Sequence, residues 1–180
     1  MAALNARALA VVERLSTDRA EQAVDVLVDS FFDYPVMRHI IDGVEEGYEG
    51  RLRKLMRFFV AARYNRDEPV LVVKEDSRAV ATAILTPPFQ QEAAPALAKH
   101  REAVWLELGR EARARYEALG DIWRLFDVPE PHYHLNMIGV MKSHAGNGYG
   151  RLLLDAVHEL SSDDPDSTGV SLNTEDESNI

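Results

Sequence analysis

The 180-residue chain contains no cysteine. Disulfides and thiolate metal sites are therefore excluded, and a cytoplasmic setting fits. No apolar run approaches the roughly 18–20 residues that cross a bilayer, so no membrane partner is expected. The opening Met-Ala-Ala-Leu-Asn-Ala-Arg-Ala-Leu-Ala soon reaches Glu13 and does not read as a signal peptide. Basic residues are outnumbered, 20 Lys+Arg against 30 Asp+Glu, for a net charge of −10. That balance disfavours a nucleic-acid surface and is compatible with a cationic or amine substrate. Metal-ligand spacing is also lacking, since His132-x-His134 alone is weak evidence for a metal. So is a nucleophile elbow.

What is present is an ordinary globular balance, 46% hydrophobic and 28% charged, enough for one domain with a sizeable core. Ala8–Leu15 reads as a first strand. Thr17 or Asp18 can cap a helix with Ala20, Val24, Leu27, Val28 and Phe31 on its apolar face. Asp33-Tyr34-Pro35 ends it, and residues 36–48 read as irregular. A second helix is expected over Glu49–Tyr64. Pro69–Val73 and Val80–Leu85 read as a hairpin turning at Glu75-Asp76-Ser77. Residues 92–119 read as helix interrupted by Pro95 and Gly109, and residues 127–131 as a linker. Tyr133–Met141 reads as strand, Gly150–Leu160 as helix, residues 161–168 as an acidic loop and Gly169–Asn173 as a last strand. Helices covering a central sheet are expected.

The most informative stretch is residues 138–150, where a strand runs into a turn with Gly146, Gly148 and Gly150, followed at once by an amphipathic helix. Such a layout points backbone N–H groups at one spot at a helix N-terminus, which suits a pyrophosphate. A Walker-type loop would need Lys-Ser/Thr after its last glycine, and Arg151-Leu152 stands there. The dinucleotide fingerprint fails in register, because its third glycine would fall on Arg151.

Lys142-Ser143-His144 followed by Ala-Gly-Asn-Gly-Tyr-Gly-Arg-Leu-Leu-Leu resembles the coenzyme A loop of the GCN5-related N-acetyltransferases (GNAT). The signature Gln/Arg-x-x-Gly-x-Gly/Ala aligns with Ala145-Gly146-Asn147-Gly148-Tyr149-Gly150. The resemblance extends over 132–140 and 169–179. Phe32-Asp33-Tyr34-Pro35 with Arg57-Phe58-Phe59 is similar to the puromycin acetyltransferase-like branch. What the resemblance implies is an α/β (α+β) fold with a mixed, mostly antiparallel central sheet flanked by helices. The family continues with a helix carrying a Tyr, commonly the general acid, and two more strands. The expectation is thus one acetyl-CoA-binding domain over 1–180, truncated after the strand at 169–173.

The same resemblance implies transfer of the acetyl group of acetyl-CoA to a primary amine of a small molecule, directly in a ternary complex. A catalytically impaired coenzyme A-binding or structural protein of the same fold is the alternative, motivated by Ala145 in place of Gln or Arg and by the end at Ile180. The thioester would meet N–H groups of Ile138 and Val140, with Gly139 between them where a bulge is expected. The pyrophosphate would meet N–H groups from Ala145 through Gly146, Asn147, Gly148, Tyr149 and Gly150 to Arg151. Asn173 and Asn179 resemble positions along the pantetheine arm and near the sulfur. His134 is the candidate base, since an ordinary His titrates near neutrality, and Asn136 shares its face. Phe31, Phe32 and Tyr34, and with them Trp105, Trp123 and Phe126, are candidate acceptor-site walls, with core packing the default for each. Glu175, Asp176 and Glu177 would stand near the acceptor entrance. A homodimer is expected, with strand or domain exchange covering an open sheet edge.

Overall fold

The apolar runs at 70–73 and 79–85 become the middle of a five-stranded sheet in the computed structural model, which describes residues 11–42 and 46–176. Val70–Glu75 (β2) and Arg78–Thr86 (β3) form the expected hairpin, with Glu75 opposite Arg78. Its two turn residues, Asp76 and Ser77, both take positive φ (47° and 68°), the geometry that matches the twist of a two-residue hairpin. Val12–Arg14 (β1) pairs antiparallel with β2, and Tyr133–Val140 (β4) antiparallel with β3. Val170–Ser171 (β5) lies parallel to β4, so the order is β1-β2-β3-β4-β5. The mostly antiparallel mixed sheet matches the expected fold. Residues 8–10 of the expected first strand lie outside the described residues.

Six helices are described: Ala20–Phe31 (α1), Pro35–Ile41 (α2), Tyr48–Asn65 (α3), Pro95–Leu108 (α4), Arg110–Trp123 (α5) and Tyr149–Asp163 (α6). Helix α2 corrects the expectation of an irregular 36–48. Pro35 ends α1 only indirectly; it is the first residue of the next helix, where a fixed φ and a missing N–H are harmless. Val36, Met37, Ile40 and Ile41 then bury one face. The helical stretch at 92–119 is two helices, opened by Pro95 and divided at Gly109, whose φ of 94° breaks the ladder. Helix α6 runs three residues beyond the expected Leu160, and β5 is shorter than the expected 169–173.

The sheet separates two cores. Val70, Val72, Ile84 and Met137 face α1–α5, whereas Leu71, Val73, Leu85 and Leu135 face α6. Alternation along β2 assigns the faces. In β4 the alternation breaks. Leu85 pairs with Leu135 but Ile84 with Met137, so Asn136 is an extra residue on β4, a β-bulge. The irregularity expected at Gly139 thus lies at Asn136. Gly139 answers a different need: a Cβ there would lie 2.2 Å from Ser30 Oγ and 3.0 Å from Ser30 Cβ, because α1 crosses directly on it. Among the described residues no helix is long and apolar enough to cross a membrane.

Candidate active site

The bulge decides what β4 offers along its free side. Met141 N–H donates to Val80 C=O at 2.9 Å. The antiparallel ladder then alternates, so the N–H groups of Ile138 and Val140 point away from β3. On that side β5 pairs only with Tyr133 and His134. Among the described residues, β4 from Asn136 to Val140 therefore has no strand partner there, and a wedge opens between β4 and β5.

The glycine turn closes the end of this wedge. Gly146 (φ 79°) and Gly148 (φ 82°) occupy the left-handed region, where an L side chain is strained. Gly150 is different: it lies in the first turn of α6, and a Cβ there would meet only Val140 Cγ2 at 3.8 Å. The first helical bond is Leu152 N–H to Gly148 C=O at 3.1 Å. Among the described residues the N–H groups of Gly146, Gly148, Tyr149, Gly150 and Arg151 have no acceptor. Grouped at a helix N-terminus, such unpaired N–H groups suit an anion. Arg151 is exposed and joins no ion pair among the described residues. A lone cation at a helix N-terminus is unfavourable by itself, which a bound phosphate would reverse. Ala145 and Asn147 are exposed in the same turn.

Polar anchors hold the turn from outside. Asp29 accepts Lys142 N–H at 2.6 Å, and Lys142 Nζ meets Asp33 at 2.6 Å. Hydrogen bonds from Lys142 and Arg38 hold the Asp33 carboxyl below the usual carboxylate range. Tyr149, 2% exposed, donates its hydroxyl to Glu75, and that bond raises its pKa. His144 Nε2 lies 3.5 Å from the other Glu75 oxygen. Only the backbone of Tyr149 is thus available to a ligand.

His134 lies at the mouth of the wedge, on the last paired position. Its Nδ1 is 2.9 Å from Ser171 Oγ, and His132 packs edge-on with ring centroids 6.4 Å apart. Burial pushes its pKa below 6.5, and His132 and Arg63 lower it further against an opposing pull from Asp127. At neutral pH the ring is therefore uncharged and able to accept a proton. Asn136 Oδ1 receives the Thr86 hydroxyl at 2.9 Å and Arg63 Nη1 at 3.0 Å.

A family model described as Acetyltransferase (GNAT) family matches residues 34–179. The chain belongs to that family. GNAT proteins are acyltransferases that generally use acetyl-CoA, and this chain's chemistry is accordingly acyl transfer. The fold is similar to that of a histone acetyltransferase HPA2 and related acetyltransferase from Corynebacterium glutamicum ATCC 13032, with a TM-score of 0.60 and 19% identity over 86% of this chain and 73% of that one. It is also similar to an agmatine N-acetyltransferase, with a TM-score of 0.54 and 18% identity over 94% of this chain and 78% of that one. PH1933 from Pyrococcus horikoshii OT3 gives 0.53 and 15% over 91% and 76%. Among curated proteins no sequence match was found.

Within this GNAT fold the sequence-derived aromatic set divides. Phe31 lies against Gly139, 3.7 Å from where a Cβ would be, and meets Tyr34 edge-on with centroids 5.1 Å apart. Phe32 turns the other way, onto Tyr48 with centroids 5.2 Å apart, under Arg38. Trp105 is buried in the core, and Phe126 is exposed. Tyr34 donates to Glu175 at 2.8 Å, and Trp123 Nε1 donates to the other carboxylate oxygen at 2.7 Å. Asn173 is exposed in the segment between β5 and Glu175. Asn179 and Glu177 lie outside the described residues.

Sequence reasoning missed Arg63 and Glu68. Glu68 is 1% exposed and pairs with Arg63 Nε at 3.0 Å, yet neither carboxylate oxygen has a well-aligned hydrogen bond. The contact is ionic. Burial raises the Glu68 pKa and lowers that of Arg63. The available signal was Arg63 among otherwise apolar positions of α3. A surface concavity bordered by Thr17, Glu21, Arg57 and His100 is formed between α1 and α3, and none of the candidate site residues lines it.

Proposed function

We propose that the protein transfers the acetyl group of acetyl-CoA to a primary amine of a small molecule, directly within a ternary complex. The observation that carries this reading is the free side of β4, where the bulge at Asn136 aims the Ile138 and Val140 N–H groups into a wedge that ends at the unpaired N–H groups of α6. The residues fit the co-substrate. Gly146, Gly148, Tyr149, Gly150 and Arg151 would hold its pyrophosphate through the backbone, with the Arg151 side chain standing in for the Gln or Arg absent at Ala145. Asn147 borders this cradle, Asn173 would contact the pantetheine arm, and Gly139 lets α1 close over the wedge. Acetyl-CoA supplies the activated acyl group.

The chain's own residues would do the rest. N–H groups at 138 and 140 would stabilise charge on the carbonyl oxygen as it develops. His134 would take the proton from the incoming ammonium, directly or through one water. The Asn136 amide Nδ2, unpartnered among the described residues, would donate to the acceptor or that water. Phe31 and Tyr34 would wall the acceptor; Phe32 would not. Titration calorimetry with acetyl-CoA tests the reading. Binding in the micromolar range and turnover on a primary amine are expected; no heat up to millimolar acetyl-CoA would refute it.

A further inference from the structure

We infer that Glu175, framed by Tyr34 and Trp123, is a subsite for a second cationic group of the acceptor, so that the substrate class is a short diamine rather than a monoamine. This deepens the acetyl-transfer reading and rests on it. The carboxylate receives one neutral donor on each oxygen, Tyr34 Oη at 2.8 Å and Trp123 Nε1 at 2.7 Å. Its own N–H donates back to Tyr34 Oη at 3.0 Å. Both donors are uncharged, and no ion pair to Glu175 forms among the described residues. A carboxylate offers about four lone-pair positions, so capacity remains for an ammonium. The negative charge is held in place and left without a countercharge.

The surroundings suit a cation. Trp123 is followed by Tyr116 at a centroid distance of 6.4 Å, and Tyr34 by Phe31 at 5.1 Å. The subsite is also continuous with the wedge. Phe31 touches Gly139, Tyr34 touches Phe31, and Glu175 touches Tyr34. From Ser171, which contacts His134, to Glu175 the chain can extend at most about 14 Å, an upper limit that the length of a short aliphatic diamine does not exceed. One amine would stand at His134 while the other meets Glu175. An acceptor carrying a carboxylate at that distance would be repelled.

The test compares 1,4-diaminobutane with butylamine at saturating acetyl-CoA. The diamine should exceed the monoamine at least tenfold in kcat/KM, through KM, and the advantage should shrink with added salt. Glu175→Gln keeps an oxygen for Tyr34 or Trp123 but removes the charge, and should erase the preference. Glu175→Asp should retain most of it. Equal kcat/KM for the two amines, or an undiminished preference in E175Q, overturns the inference. Absence of turnover on every amine would instead refute acetyl transfer. The subsite is then decided by calorimetry of 1,4-diaminobutane into the wild-type protein with coenzyme A. Binding abolished in E175Q supports it, and no binding, or equal binding by both proteins, overturns it.

Discussion

Thr86 donates its hydroxyl to Asn136 Oδ1 at 2.9 Å, at the point where β4 carries one residue more than β3. Thr86 is paired with His134 across the ladder. The hydrogen bond therefore ties the candidate base to the bulge that turns the Ile138 and Val140 N–H groups outward. A buried or half-buried side-chain hydrogen bond of this kind contributes about 1 kcal/mol.

Asn136→Ala should consequently lower kcat about tenfold or more while changing stability by only about 1–2 kcal/mol. Acetyl-CoA affinity should change less than kcat, because the cradle at α6 is untouched. Parallel calorimetry and steady-state kinetics check this, and an equal loss in both would mean that the bulge does not position the reacting groups.

The turn glycines should separate by mechanism. Gly148→Ala places a side chain at φ 82° and should cost about 1–2 kcal/mol, weakening acetyl-CoA through a displaced turn. Gly150→Ala has no such strain and room for a Cβ. Its Tm should match wild type, so any loss of acetyl-CoA affinity reports direct crowding of the ligand. Thermal melts with and without acetyl-CoA distinguish the two.

At Gly139 the constraint is packing. Gly139→Ala drives a Cβ into Ser30, and overpacking of this sort costs about 1–3 kcal/mol. Ser30→Ala removes the hydroxyl at 2.2 Å but leaves the Cβ at 3.0 Å. The double variant should therefore recover part of the loss, and the two changes should be non-additive in chemical denaturation.

His134 sets a pH dependence. Its folded pKa lies below 6.5, its unfolded value, because the ring is buried beside His132 and Arg63. The unfolded chain thus binds the extra proton first as the solution is acidified. The neutral ring's contribution to stability is intact above about pH 6.5 and declines as pH falls toward the folded pKa. His134→Gln should flatten this acid-side loss in urea titrations. With His134 as base, kcat/KM should also fall on the acid side with a midpoint below 6.5, and that limb should vanish in H134Q.

The Arg63–Glu68 pair should behave as a buried ion pair. Arg63→Ala strands the Glu68 carboxylate and should cost about 3–5 kcal/mol, whereas an apolar double replacement such as R63M/E68L should cost much less. Urea unfolding of the three proteins checks the ordering.

Legibility in the sequence followed the range of the interaction involved. The hairpin at Glu75-Asp76-Ser77, the amphipathic α1 and α6 and the glycine turn rest on neighbours a few residues apart, and all were readable. Helix α2 is not legible from Pro35, because a proline both ends one helix and suits the first position of the next. The three aromatics at 31–34 looked equivalent. Only packing sends Phe31 and Tyr34 toward β4 and Phe32 toward Tyr48. Arg63 stands among apolar positions of α3, which is a local signal, but nothing near either residue in sequence names Glu68 as its partner.

The sequence by itself determined the strand–glycine turn–helix and, through it, the family. Positive-φ glycines and a helix start are written in consecutive residues, so no distant partner is needed. The tertiary structure decided where β4 bulges, which N–H groups face the wedge, and that Glu175 meets Tyr34 from 141 positions away. Strand register and side-chain meetings across the sheet depend on how α1, α3 and β3 pack against β4, and that packing is settled only when the whole core closes.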